Sequence, residues 1–479
     1  MLTLTTVEES IESFLEARKA ERLESYMELL RIPSISTLPE HRPDIERTAR
    51  WIVDEMTRIG IEHAAVMPTA GNPVVYGDWL HAPGAPTILV YCHYDVQPVD
   101  PIELWETAPF EPFVRGEGAE ARMVGRGAAD DKGQLHMHLK AAEAMLATRG
   151  RLPINVKYIF EGEEEHSSVG LEAWLRENRE LLDADAIVIS DTGFFEGNVP
   201  ALTTSLRGMV YVQIDVTGGP IDLHSGSYGG AVQNPANALA WIITKLKDES
   251  GRVLIPGFYD DVRPATPQER FEISCLPFDE QDFHRVTGVP ELVPGEPGFS
   301  LLECMGVRPT LDVNGIWGGF TGEGSKTIIP AHAHAKVSCR LVPDQDGEKL
   351  FVAIRDYVKQ VAPRGVTVAV HNLGTAKPLR MDPELPVSKA AARALEATHG
   401  QVPVFIRSGG SIPVAALFRE VLGLPITMLG FTNPDDNAHA PNETMVLLNY
   451  EAGLRTITRL WDDLSTMSPQ EARMGGTTA

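Results

Sequence analysis

An α/β protein, with helices on both faces of a mainly parallel sheet and a smaller α+β insert interrupting it, is the fold this sequence predicts. Three observations predict it. Short, continuous apolar runs alternate with helical stretches between Thr87 and Ile189. Two-residue alternation takes over after Arg207-Gly208, and the first texture returns from about Leu379. A run that is apolar throughout marks a strand buried on both faces, whereas alternation marks a strand with one wet face.

The elements follow in order. Val7 to Leu30 carries Ile11, Phe14, Leu15, Leu23, Met27 and Leu30 at helical spacing, and Pro33 ends that helix by disfavouring helical geometry in the residue before it. A second helix is expected over Glu46 to Ile59. Thr87–Tyr91, Ile154–Phe160 and Ala186–Ile189 are buried strands, separated by helices at Leu135–Arg149 and Val169–Glu177. This β-α-β rhythm implies a mainly parallel sheet. Beyond Gly208, Val210, Val212, Ile214 and Val216 alternate with Tyr211, Gln213, Asp215 and Thr217. A helix over Pro235–Lys247, a strand at His332–Arg340, a helix at Glu348–Ala362 and a strand at Val366–Val370 complete an insert of two helices against one sheet. Residues 251–310 are rich in proline and glycine and are expected to be long excursions. The closing part carries a strand at Ile426–Leu429 and a helix at Tyr450–Leu464. The expected organisation is a catalytic domain in two parts, residues 1–207 and 379–479, around an inserted domain of residues 208–378.

Composition excludes several classes. With 479 residues, two domains are the natural expectation, and 43% hydrophobic with 23% charged residues is globular, not disordered. The balance of 42 Lys+Arg against 66 Asp+Glu, a formal charge of −24, repels phosphate backbones, so nucleic acid is not an expected partner. The first residues, Met1 to Glu9, have neither a basic stretch nor an apolar one, so no secretory signal is expected. No stretch approaches the roughly 18 uninterrupted apolar residues of a membrane span. Cys92, Cys275, Cys304 and Cys339 are scattered, without a C-x-x-C pair. That pattern suits a reducing cytoplasm and argues against both a disulfide framework and a cysteine-based zinc site.

The candidate chemistry lies just after the predicted strands, where side chains of an α/β sheet converge on one crevice. His93 and Asp95 follow the Thr87–Tyr91 strand. Asp130 and Asp131 sit between glycines in Gly127-Ala128-Ala129-Asp130-Asp131-Lys132-Gly133. Glu161-Gly162-Glu163-Glu164-Glu165-His166 follows Ile154–Phe160, Asp191 follows Ala186–Ile189, and His439 lies beyond Ile426–Leu429. Taken singly, each is ordinarily a solvated or capping group. Together they are a mixed nitrogen and oxygen set suited to zinc or manganese. The acidic run directly after an apolar strand crowds like charges that a cation would neutralise. Two cations roughly 3.5–4 Å apart need a bridging carboxylate, and water between them becomes an acidified nucleophile.

The motifs resemble those of the di-metal aminoacylase/carboxypeptidase family of metallopeptidases, most closely its carnosine dipeptidase and cytosolic nonspecific dipeptidase branch. The resemblance runs nearly the whole chain. It is carried by His93-Tyr94-Asp95-Val96-Gln97-Pro98, Asp130-Asp131-Lys132-Gly133, Glu161-Gly162-x-Glu164-Glu165 and Ile189-Ser190-Asp191. It continues through Asp222-Leu223-His224-Ser225-Gly226, Arg340-Leu341-Val342-Pro343 and Gly409-Gly410-Ser411-Ile412-Pro413. It implies that Asp130 bridges two divalent cations, zinc or alternatively manganese. His93 and Asp191 would complete one site, Glu165 and His439 the other, with Asp95 holding His93 from behind. Glu164 would be the general base, taking a proton from the bridging water and delivering it to the leaving amine. If the segment is extended, Glu164 and Glu165 face opposite ways, so one can serve the water and the other a cation. The resemblance also implies that the insert is a dimerisation (lid) domain whose His224 stabilises the oxyanion across a homodimer. Arg340 would bind the substrate's terminal carboxylate, with Thr327, Gly410 and Ser411 among the substrate contacts. Glu163 and His166 stand where relatives often carry an apolar residue and a serine.

Dipeptide hydrolysis in the cytoplasm is the expected function. An acyl-amino-acid amidohydrolase would use the same water and carboxylate clamp. A non-catalytic metal-dependent peptide-binding protein has no use for Glu164, and a two-metal phosphoesterase fits poorly with the strongly negative charge.

Overall fold

The structure, a computed structural model, describes residues 10–474. The chain divides into two compact units. The first comprises residues up to Thr204, Met381–Ile406 and those from Val414 onward; the second comprises Ser205–Arg380 and Arg407–Pro413.

The first unit is built on a sheet whose centre is parallel. Thr87–His93 lies between Asn155–Glu161 and Ala186–Ile189, and Ile426–Met428 pairs beyond Ala186–Ile189, all in parallel. Ile88, Leu89, Val90 and Tyr91 are fully buried, as an apolar run covered on both faces must be. Antiparallel strands flank this centre: Val74–Trp79 and Glu62–Met67 on one side, Ala201–Leu206 on the other. The α/β class with a mainly parallel sheet is therefore as expected, with antiparallel edges added. Helix Lys132–Arg149 is buried over nearly its whole circumference from Lys132 to Ala142. The expected helix over Val7–Leu30 is two helices, Ile11–Ala17 and Lys19–Leu30, broken at Arg18 (φ −106°, ψ 15°). Its Val7–Glu9 portion, like the N-terminal signal question, lies outside the described residues. The second helix begins earlier than expected, at Arg42, because Pro43 suits a first turn. Among the described residues no helix is long and apolar enough to cross a membrane.

The second unit is a four-stranded antiparallel sheet in the order Thr310–Gly318, His332–Leu341, Gly208–Thr217, Thr367–Ala376. Burial along Gly208–Thr217 alternates residue by residue, and Val210, Val212, Ile214 and Val216 share one core with Leu239, Ile242, Leu350 and Ile354. Those last four come from helices Pro235–Thr244 and Gly347–Val361.

Two expectations need correction. Residues 251–310 are not plain excursions: Pro267–Ser274, Glu280–Thr287 and Leu301–Gly306 are short helices. The first and last start with capping boxes, Thr266 with Glu269 and Ser300 with Glu303, and Asp279 caps the middle one. At this length a helix shows too little periodicity to find, and the caps were the available signal. Secondly, Arg407–Pro413 belongs with the second unit, not with the returning α/β part. Arg407 reaches Glu269 at 2.8 Å, and Ser411 reaches Arg340 at 2.9 Å. These are contacts between residues distant in sequence, invisible to local pattern.

Candidate active site

Four parallel strands lead to His93, the Glu164–Glu165 pair, Asp191 and the loop of His439 in the first unit, and the turn between strand Arg122–Val124 and helix Lys132–Arg149 adds Asp130. His93 ends its strand and is buried; its Nε2 lies 2.9 Å from Asp130 Oδ1 and 3.8 Å from Asp191 Oδ1. His439 Nε2 lies 2.9 Å from Asp130 Oδ2 and 3.2 Å from Glu165 Oε1. Two ligand sets result, His93/Asp130/Asp191 and Asp130/Glu165/His439. In each, the donor atoms lie within 4.8 Å of one another, and Asp130 is common to both. A third group, Glu62, His63 and Asp78, lies on the flanking antiparallel strands Glu62–Met67 and Val74–Trp79 and is compensated by its own His63–Asp78 contact of 2.8 Å.

Electrostatics here demand positive charge. The contacts with Asp130 and then Glu165 push His439 up to about 10. Burial would lower His93, but Asp130, Asp191 and Asp95 override it and hold the imidazole well above its usual range. Burial, and then neighbouring Asp130 and Glu165 against the opposing pull of His93, leave Asp191 at about 6. Glu165 is raised by burial and by Asp130, and its Oε1 is buried without a hydrogen-bond partner. An orphaned carboxylate oxygen aimed at an imidazole nitrogen and a shared aspartate fits a divalent cation. Such an ion would stand in for the imidazole protons and neutralise the crowded oxygens. The donor set, two histidines and three carboxylates, suits zinc or manganese chemistry.

The supporting shell differs in detail from expectation. Asp95 does stand behind His93, whose Nδ1 is 3.1 Å from the Asp95 carbonyl and 3.4 Å from its Oδ1. The Asp95 carboxylate also accepts the backbone N–H groups of Glu164 and Glu165, at 3.1 and 3.0 Å. One residue thus positions a candidate ligand histidine and the acidic pair together. The Glu164–His166 segment is a single 3-10 turn, not an extended run. The opposite-facing argument therefore does not apply, because the turn directs these side chains. The Glu164 carboxyl is pushed well above the usual carboxylate range by burial and by the charge of Asp191. Gln97 Nε2 donates to Glu165 Oε2 at 2.7 Å. Gly162 is required here: a Cβ would lie 2.4 Å from the Tyr94 hydroxyl oxygen. Glu163 accepts the Gly170 N–H at 2.9 Å and is structural, while His166 is exposed.

Glu443 is the residue that sequence reasoning missed. Its fully buried carboxylate accepts the N–H groups of Gly127 (2.9 Å), Ala129 (2.8 Å) and Asp130 (3.0 Å), and pairs with Arg126 at 2.8 Å. It therefore ties the Asp130 turn to the loop that carries His439. From the other side, Lys132 Nζ donates to Ile32 O (2.6 Å) and Leu29 O (3.2 Å), and the Tyr26 hydroxyl donates to Ala128 O. The available signal was proximity, since Glu443 follows His439 by four residues.

The remaining expected residues form two sets in the second unit. His224 is exposed and caps the turn Ser225–Tyr228, its Nδ1 accepting Gly226 N–H (3.0 Å) and Ser227 N–H (3.2 Å). Thr327 is beside it, its carbonyl accepting Ser225 N–H at 3.1 Å. Arg340 Nη1 donates to Ser411 Oγ, and Gly410 N–H donates to Ser408 Oγ at 3.1 Å.

A two-unit α/β fold with a His/carboxylate cluster around a shared aspartate defines a metal-dependent hydrolase. The chain belongs to peptidase family M20/M25/M40, whose family model matches residues 89–463. It is 33% identical to the Cys-Gly metallodipeptidase of Schizosaccharomyces pombe over 469 residues, covering 95% of this chain and 98% of that protein. Among solved structures it resembles human carnosine dipeptidase 1, with a TM-score of 0.81 and 27% identity over 95% of this chain and 98% of the other. It also resembles an M20 family metallo-carboxypeptidase from Sulfolobus solfataricus, with a TM-score of 0.82 and 34% identity over 93% of this chain and 100% of the other.

Proposed function

We propose that this chain hydrolyses the peptide bond of dipeptides, with two zinc or manganese ions per subunit. The observation that carries the reading is the sharing of Asp130 by two ligand sets, with Glu164 beside them and outside both. His93, Asp130 and Asp191 would hold one ion, and Asp130, Glu165 and His439 the other. Such ions supply Lewis acidity, acidifying water and polarising the scissile carbonyl. Glu164 takes the proton from the attacking water and returns it to the leaving amine; burial and the charge of Asp191 raise its affinity for protons above that of an ordinary carboxylate. Asp95 fixes the backbone from which Glu164 acts.

His224 has Nδ1 engaged as an acceptor, so its proton sits on Nε2, an N–H donor for the tetrahedral oxygen. Arg340, with Ser411 and flanked by Gly410, takes the terminal carboxylate through its planar fork, and Thr327 borders the substrate near His224. The second unit also serves as a dimerisation (lid) domain, so that His224 works on the centre of a second copy. Its edge strand Thr310–Gly318 leaves Val313, Ile316 and Trp317 exposed, which a homodimer would cover. A cytoplasmic enzyme acting on small peptides accords with the scattered free cysteines.

A substrate panel tests this. Unblocked dipeptides such as Cys-Gly and carnosine are expected to be cleaved, and acetylated amino acids to be left intact. Activity confined to acetylated amino acids would instead make the chain an acyl-amino-acid amidohydrolase. The likeness to the Sulfolobus metallo-carboxypeptidase favours one further reading. Release of C-terminal residues from longer peptides at rates matching dipeptides would establish it.

A further inference from the structure

Arginines in the second unit are generally matched to carboxylates: Arg263, Arg380 and Arg407 to Glu269, Arg252 and Arg308 to Glu296, Arg270 to Glu303. Arg207 and Arg340 are not. Neither makes an ion pair among the described residues, and Arg340 is near enough for its positive charge to bear on Arg207. Burial and then Arg340, against the opposing pull of Asp312, bring the Arg207 guanidinium down to about 10. Its Nη1 is buried without a hydrogen-bond partner. Two neighbouring guanidinium groups with no carboxylate in ion-pair contact are a place for an anion.

Arg207 also organises the turn next to Arg340. Its backbone N–H donates to Gly410 O and its Nε to Gly409 O, both at 3.0 Å. Its carbonyl accepts the Ser411 hydroxyl at 2.5 Å. Ser411 has one proton, and it is committed to Arg207. Its oxygen can therefore meet Arg340 Nη1 only as an acceptor, at 2.9 Å. A Cβ at 409 would lie 2.9 Å from Arg207 Nη2, so a side chain there would have to displace the guanidinium. Direction thus passes from Arg207 through Ser411 to the fork of Arg340.

We propose that Arg207 is a positioning residue for carboxylate recognition. It sets Ser411 and Arg340 and places a second positive charge behind them, so that the clamp is dicationic. The identity of the anion, a peptide's terminal carboxylate, rests on the dipeptide reading.

The test compares glycyl-leucine with glycyl-leucinamide, binding to metal-loaded protein carrying Glu164→Ala so that turnover does not interfere. Adding Arg207→Met should weaken glycyl-leucine binding roughly 10- to 100-fold, the worth of a charge-assisted hydrogen bond, and leave the amide unaffected. Retained amide binding shows that the fold survives. Arg207→Lys, which keeps the charge and is the gentler change, should recover part of the loss. In the active background Arg207→Met should raise KM more than it lowers kcat, and its effect should be non-additive with Ser411→Ala. Equal losses for acid and amide, or no loss for the acid, would overturn the proposal and leave Arg207 a structural staple. If the parent protein binds neither peptide, the dipeptide reading fails and the proposal falls with it. If the parent binds acid and amide equally, the reading survives and the clamp alone is refuted.

Discussion

Glu164→Ala is expected to lower turnover by roughly three orders of magnitude while leaving metal content unchanged, the size of effect associated with loss of a positioned general base. Both halves of that outcome follow from the geometry. Glu164 is absent from both ligand sets, which need only His93, Asp130, Asp191, Glu165 and His439. Its backbone N–H, not its carboxylate, is what Asp95 holds, so truncating the side chain leaves the turn and Glu165 in place. What disappears is a buried carboxyl group that feels Asp191, His93, Glu165 and Asp130 at once. Elemental analysis beside steady-state kinetics checks both halves. Turnover within about tenfold of the parent would remove Glu164 from the mechanism.

Glu443→Ala should be the most damaging single change to the first unit. Arg126 is 1% exposed and would keep its charge with only the Pro98 carbonyl (3.1 Å) and the Trp105 ring face to meet it. Breaking a buried pair in this way costs about 3–5 kcal/mol. In addition, the N–H groups of Gly127, Ala129 and Asp130 lose their acceptor. Glu443→Gln is not a safe substitute, since its amide nitrogen would face a donor on one side or the other. Urea denaturation of the metal-free variant should show the lost stability. Metal titration should show weaker binding at both sets, because the turn carrying Asp130 has lost its anchor. Normal metal affinity in a folded Glu443→Ala protein would contradict the positioning role.

How much of this was legible in the sequence depends on the range of the contact. The Thr87–Tyr91, Ile154–Phe160 and Ala186–Ile189 strands were legible because burial on both faces leaves a continuous apolar run. The residues just beyond them were legible because strand ends converge. The alternation over Val210–Thr217 likewise announced a sheet with one wet face. By contrast, the 3-10 turn at Glu164–His166 is set by Asp95 accepting two backbone N–H groups, and no local pattern encodes that. Glu443 looks like any loop carboxylate until the Asp130 turn is folded around it. Arg207 marks only a change of texture, and its role depends on residues 409–411, two hundred positions away.

The claim on which the rest depends is that two divalent cations share Asp130. Elemental analysis of the purified protein, before and after a strong chelator and with activity followed in parallel, tests it most directly. Two ions per chain are expected, with activity lost on their removal and restored by zinc or manganese. A protein that stays fully active with less than one ion per chain would contradict it.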